Sequence, residues 1–421
     1  MLKVGFGKHE LTPPLGIELS GYGYLLGRCG EKVEDPLYVR ALYFVQGEEK
    51  FLLMNCDLLK LSPWTVEAVK GAFEAWYDIP KKNVLILCIH THTGPSTTNI
   101  NTCGIMDPNY TATLAERLIQ AGLKALEDAA PVIGMEGSIR ELDEPIGLNR
   151  ANLPDMDKKV KNLVIRRENR SPIAIASYAC HPVVCGRVPV ISADFCGEVM
   201  RRLDSLGYMG IFINGACGDI NPTLRQNEGE LTAKEIFAKY AQLLLDGFEA
   251  GLKPLQGEMK LKSALVDVEL PLCDWGQAEF DEVLADILKK NEENSGTAIV
   301  ARSWHNKVSK LFAPGKPRVD KIQAQFFALG DIVLVAYPYE TYTGIALAVS
   351  NAFPDKKVIC LGNANANRAY VPNRAALEGD ITSYGTLGSC MANGKRIPFA
   401  PEAPDILVNT TIEALKAFLN E

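Results

Sequence analysis

Val84-Leu85-Ile86-Leu87-Cys88-Ile89-His90-Thr91-His92-Thr93-Gly94-Pro95 is a β-rich apolar run that stops abruptly at polar residues. The run predicts a buried strand over 84–89, and Gly94-Pro95 turns the chain away. Residues i and i+2 of an extended chain share a face, so His90 and His92 would reach one site.

The same pattern recurs along the chain. Asp57 follows Phe51–Cys56, and His181 follows Ile173–Cys180. Asn214 and Asp219 follow Met209–Ile213, and Glu340 follows Ile332–Ala336. Ligands of open α/β sheets bind beyond the carboxyl ends of strands. Five such ends predict one shared, functional edge. Further strands are expected at Ala41–Val45, Asn162–Ile165, Ser263–Leu270, Gln323–Ala328 and Val358–Leu361. Helical spacing marks Trp64–Trp76, Tyr110–Glu127, Asp194–Leu206, Thr232–Glu249, Gln277–Lys290, Thr341–Ala352 and Asp405–Leu419. The alternation predicts an α/β layered fold: a mixed, mostly buried β-sheet flanked by helices, with the active site at strand C-terminal ends. A single catalytic domain over 1–421 is expected, with an inserted helical region at about 255–320.

Composition narrows the function. The 421 residues are 47% hydrophobic and 23% charged, with a net charge of −7. An acidic chain offers no basic field for nucleic acid. The start lacks the apolar core of a signal peptide, and no run approaches the ~20 apolar residues of a membrane span. The eleven cysteines lie largely in apolar runs, as reduced thiols do, so a cytoplasmic protein is expected. Cys180 and Cys185 flank His181 as thiolate ligands or as small core residues; the lack of a CxxC pair favours the core.

Imidazole is a common zinc ligand and a carboxylate often joins it. His90, His92, His181 and Glu340 therefore read as a metal site, or as hydrogen-bonded histidines at strand ends. From pattern alone, Glu340 reads rather as a first-turn Glu favoured by the helix dipole. Gly215-Ala216-Cys217-Gly218-Asp219-Ile220-Asn221-Pro222 could present N–H groups to an oxyanion or form a plain loop with Asp219 bonding the backbone. Tyr370, in an Asn-rich loop, reads as a half-buried aromatic. His9 and His305 read as structural or solvated.

Taken in order, several motifs resemble one family. These are Gly7-Lys8-His9-Glu10-Leu11-Thr12-Pro13-Pro14, Asp35-Pro36-Leu37-Tyr38-Val39-Arg40-Ala41, His90-Thr91-His92-Thr93-Gly94-Pro95, Ser192-Ala193-Asp194-Phe195 and Gly218-Asp219-Ile220-Asn221-Pro222. Together they resemble the N-terminal catalytic domain of the neutral/alkaline, non-lysosomal ceramidases, over nearly the whole chain. The resemblance implies a zinc amidase, with Zn2+ held by His90, His181, Glu340 and Tyr370. It implies that His92 contacts substrate, that Arg150 lines the site, and that Tyr384 helps stabilise the oxyanion. Gly215 stands where the family has an active-site Ser, and it is expected at the substrate with Asp219. No segment matches the family's C-terminal immunoglobulin-like domain. Three functions follow: a zinc-dependent amidohydrolase cleaving a lipid amide, a hydrolase of a small polar amide or ester, or a non-catalytic metal- or ligand-binding protein.

Overall fold

The computed structural model describes residues 1–226, 228–311, 318–394 and 396–420. Among the described residues, the larger sheet has nine strands: a short one, Lys253–Pro254, at its side and eight along its main path. The eight are β1 (Leu2–Glu10), β2 (Tyr38–Gln46), β3 (Glu49–Cys56), β4 (Val84–Cys88), β5 (Ala130–Glu141), β6 (Lys159–Arg167), β7 (Arg170–Tyr178) and β8 (Met209–Asn214). Their order is β8-β7-β6-β5-β1-β2-β3-β4. The inner pairings are antiparallel, whereas β3–β4 and β7–β8, at the two edges, are parallel. Parallel neighbours need a crossover, and helices supply it. Helix α1 (Pro63–Tyr77) links β3 to β4, and α3 (Asp194–Ser205) links β7 to β8. Between them in sequence, α2 (Pro108–Glu127) joins β4 to β5, and α4 (Ala233–Leu245) follows β8. The start of α1 is as the sequence predicts: the Ser62 side chain accepts from Thr65 N, and Pro63 opens the helix.

Side chains of these strands alternate between two cores. On β3, Leu52, Met54 and Cys56 face a core shared with residues of α1, α2 and α3. Phe51 and Leu53 face the opposite core, with Phe327, Leu329 and Leu334. Those last residues belong to a second sheet, β9 (Lys262–Pro271), β10 (Val319–Leu329), β11 (Ile332–Ala336) and β12 (Lys357–Leu361), in that order. Its pairings are two antiparallel and one parallel. Its far face packs against α7 (Thr343–Asn351) and α8 (Ala403–Asn420), with α5 (Gln277–Lys290) and α6 (Gly296–Leu311) lying between β9 and β10 in sequence. The layers therefore run helix, sheet, sheet, helix. Burial on both faces explains why these strands read as continuous apolar runs.

The helical insertion is narrower than 255–320. Residues 262–271 and 319–329 pair as β-strands, which leaves two helices, 277–290 and 296–311; residues 312–317 lie outside the described residues.

The two edges of the larger sheet come together through side chains. Asn55 Nδ2 donates to Phe212 O (2.8 Å), and Asn214 Nδ2 donates to Ile89 O (2.9 Å). Two buried amides thus join β3–β4 to β7–β8 without a backbone ladder. The carboxyl ends of both parallel pairs meet at that seam.

Candidate active site

Strand β4 ends at Cys88, one residue short of expectation, and His90 adopts a φ of +73°. The two imidazoles therefore converge through a turn, not through strand alternation. A left-handed β-carbon costs energy and persists only where its surroundings fix it. Here Ile89 N donates to Cys56 O and His90 N to Leu58 O. The His90 ring is fixed as well, with Nδ1 2.9 Å from Leu59 O.

His181 follows β7, and its Nδ1 lies 2.7 Å from Cys217 O. A ring nitrogen facing a carbonyl must carry the proton. In both rings Nε2 is then the lone pair that points inward. Each Nε2 meets a carboxylate oxygen: Glu340 Oε2 lies 3.0 Å from His90 Nε2 and 3.4 Å from His181 Nε2. Tyr370 Oη lies 3.4 Å from His181 Nε2. Glu340 and Tyr370 reach the site together because they are register partners in a short parallel pairing. Helix α7 starts only at Thr343, so Glu340 is not a first-turn residue.

Burial holds the His181 imidazole down at about 4, so it is neutral at pH 7. Two inward lone pairs facing one carboxylate repel unless a cation or proton lies between them. Four donors at ~2.0–2.2 Å around a tetrahedral ion stand roughly 3.3 Å apart. The observed 3.0–3.4 Å fits that spacing.

His92 completes the cluster. The ligand atoms of His90, His92 and His181 lie within 4.8 Å of one another, so these three could also hold an ion. Unlike the other two rings, His92 has no hydrogen-bond partner at either nitrogen among the described residues. Burial, with His90 and His181 beside it, keeps it well below the ordinary imidazole range. Its backbone is anchored by Arg28 Nη2, which donates to His92 O (2.7 Å). Gly21, at a φ of +106°, crosses so closely that a β-carbon there would come within 2.4 Å of the ring.

Arg150 Nη2 donates to Tyr370 Oη and to Gly218 O, both at 2.8 Å. Tyr384 stands edge-on to Tyr370, with ring centroids 5.8 Å apart. His92, His181, Arg150, Tyr370 and Tyr384 line one cavity of about 560 Å³.

Gly215 and Asp219, expected at the substrate, do not line it. A β-carbon on Gly215 would come within 3.0 Å of the Ala179 β-carbon. Asp219 is fully buried and accepts from Asn149 Nδ2 and Thr343 N, both at 2.8 Å. Its backbone O accepts from Arg150 N (2.8 Å). Asp219 therefore braces the Asn149-Arg150 turn from behind. Gly218 is required by packing, because a β-carbon would lie 2.5 Å from Glu340 O.

Asp57 does not join the shared edge. It is buried in an ion pair with Arg40 (2.9 Å). Cys180 and Cys185 are free core residues. His305 pairs with Asp281, and His9 lies beside Lys124.

Asn214 is the residue whose role was missed. Its side chain bonds Ile89 O and Cys180 O (2.9 Å each), and accepts from Cys180 N (3.2 Å). Ile89 and Cys180 immediately precede His90 and His181. One amide therefore sets the separation of the two ligand-bearing turns. Its place at a strand end was the only signal.

No protein-family model matches the chain, and neither does any curated protein sequence. Solved structures do match. One is neutral ceramidase from Pseudomonas aeruginosa, 17% identical, with a TM-score of 0.75 over 99% of this chain and 75% of that one. Another is a ceramidase complexed with C2, 14% identical, with a TM-score of 0.71 over 99% and 76%. The chain has the neutral ceramidase fold. That agrees with the resemblance read from the motifs between Gly7 and Pro222. Within that fold, His90, His92, His181, Glu340 and Tyr370 fall at one place. Among the described residues, no helix is long and apolar enough to cross a membrane.

Proposed function

We propose that this chain is a zinc-dependent hydrolase that cleaves an N-acyl amide bond. The carrying observation is the convergence of Glu340 Oε2 on the inward nitrogens of His90 and His181. His90, His181, Glu340 and Tyr370 would hold the ion. When bound, zinc lowers the pKa of water toward ~7 and polarises a carbonyl.

The chain's own residues do the rest. His92, neutral and, among the described residues, without a protein partner at either nitrogen, accepts a proton from the attacking water and delivers it to the departing amine nitrogen. Arg150 and the Tyr384 hydroxyl face the carbonyl oxygen and stabilise its developing charge. Asp219 keeps Arg150 in place from outside the cavity. Gly215 puts no hydroxyl at the position where the resemblance places a Ser. Dialysis against a chelator followed by zinc repletion tests the proposal. Full turnover of an N-acyl substrate by metal-free protein would sink it.

A lipid amide such as ceramide is the substrate suggested by the solved relatives. The cavity wall favours the second reading, a small polar amide or ester. Among the described residues its lining includes Arg150, Arg187, Arg225, Asn221 and Gln226 beside four tyrosines, with one aliphatic side chain, Val183. Two long hydrocarbon chains need apolar wall to leave water. A comparison of N-acyl substrates of increasing chain length decides between them: falling kcat/KM with length supports the polar substrate.

A further inference from the structure

We propose that the substrate is an anionic amide, whose carboxylate or other oxyanion is held at the cavity mouth by Arg187 and Arg225. The inference rests on the hydrolase reading above and names its substrate class.

Charge is the first observation. Among the described residues, three guanidinium groups line the cavity (Arg150, Arg187 and Arg225), against one carboxylate, Glu228. The chain as a whole carries −7, so a net positive cavity runs against its overall balance. A concave site of one sign concentrates ligands of the other.

The state of the guanidiniums is the second. Arg150 is already committed to Tyr370 and Gly218. Arg187 is not. It lies over the face of Tyr22, 5.7 Å from the ring centre, and no ion pair holds it among the described residues. Tyr22 stands edge-on to His92, with centroids 5.0 Å apart. Arg187 is thus connected to the proposed proton-transferring residue through one aromatic ring. Among the described residues Arg225 bonds only Glu228, at 3.4 Å, and Glu228 is mostly exposed. Arg225 Nε is buried without a hydrogen-bond partner. A buried donor left unmatched is costly, and a planar oxyanion would relieve that cost. Guanidinium forks suit carboxylate and phosphate.

Among the described residues, the wall is built of tyrosines and guanidinium groups rather than of aliphatic side chains. An amide carrying a charge near the scissile bond needs guanidinium at the mouth and little hydrocarbon contact.

The test uses zinc-loaded protein and three matched amides: N-hexanoylglycine, N-hexanoyl phosphoethanolamine and N-hexanoyl ethanolamine. The first two are anionic and the third is neutral. At least one anionic amide is expected to exceed the neutral one in kcat/KM by about tenfold or more. The better of the two identifies carboxylate or phosphate. Arg187→Ala and Arg225→Ala should each shrink that preference severalfold through KM, with zinc content unchanged. High salt should shrink it too. Equal or better hydrolysis of the neutral amide overturns the inference and leaves the hydrolase reading standing. If none of the three is cleaved, the hydrolase reading fails for this class. Calorimetric binding of N-hexanoylglycine then decides separately: affinity lost in Arg187→Ala supports the anion site, and no binding overturns it.

Discussion

His90, His92 and His181 lie in one cluster, but their surroundings divide them. His90 and His181 each have one nitrogen tied to a carbonyl and the other aimed at Glu340. His92 has neither tie. His181→Ala should therefore lose bound zinc along with activity, measured by elemental analysis of purified protein. His92→Ala should keep zinc and lose about 10²–10⁴-fold in kcat. Zinc lost from both variants would favour the three-histidine set instead. Asn214→Asp is a sharper substitution, because it keeps shape while replacing a donor with an acceptor. An oxygen would then face Ile89 O and Cys180 O, pushing the two turns apart. Zinc affinity is expected to fall about 10–100-fold, measured by competition with a chelating dye, although Asn214 touches none of the proposed ligands.

Elements were legible where their period was clean. Strand β11 and helix α5 fall within the bounds read from the sequence, because the first is bounded by turns and the second is amphipathic. Strand β5 was missed. Pro131, Gly134 and Gly137 interrupt it, and its buried positions alternate weakly with charged ones. Tyr370 passed for packing because its role depends on pairing with Glu340, thirty residues earlier in the chain, and short pairings leave no period. The positive φ of His90 was equally invisible, since it arises from backbone bonds to Cys56 and Leu58. Helix α1 carries a testable cost. Burial lowers the Lys70 ammonium to about 8. Its folded value is below the unfolded ~10.4, so the unfolded chain binds the proton more tightly. The penalty is complete below pH 8 and is relieved as pH rises from about 8 toward 10.5. Lys70→Met, which keeps the stem's packing, should stabilise the protein at pH 7 by up to about 3 kcal/mol. The gain should shrink at pH 9.5, with urea denaturation at both pH values as the measurement.

At the scale of the whole molecule, the layered α/β class was readable, but the doubling of the sheet was not. Continuous apolar strands announce burial on both faces without saying what covers the second face. The expected shared edge was right for β4, β7, β8 and β11 and wrong for Asp57, which serves the core. The proposed ligands come from both sheets: His90 and His181 follow strands of the larger one, and Glu340 follows β11 of the smaller. Zinc should therefore tie the two sheets together. At a free concentration ~100-fold above Kd, it should add about 2.7 kcal/mol of stability. Calorimetry with and without chelator measures this, and identical melting temperatures would contradict the ligand set.

The seam held by Asn55 and Asn214 also places metal capture in time. A chain emerging from synthesis presents His90 first and His181 next, and the donor set is complete only once Tyr370 has been made. Until β8 reaches β4, nothing aligns the two imidazoles. Loading is then a late event that follows collapse rather than seeding it, unlike small zinc modules whose folding waits for the ion. Protein refolded without metal should regain its secondary structure first and accept zinc afterwards.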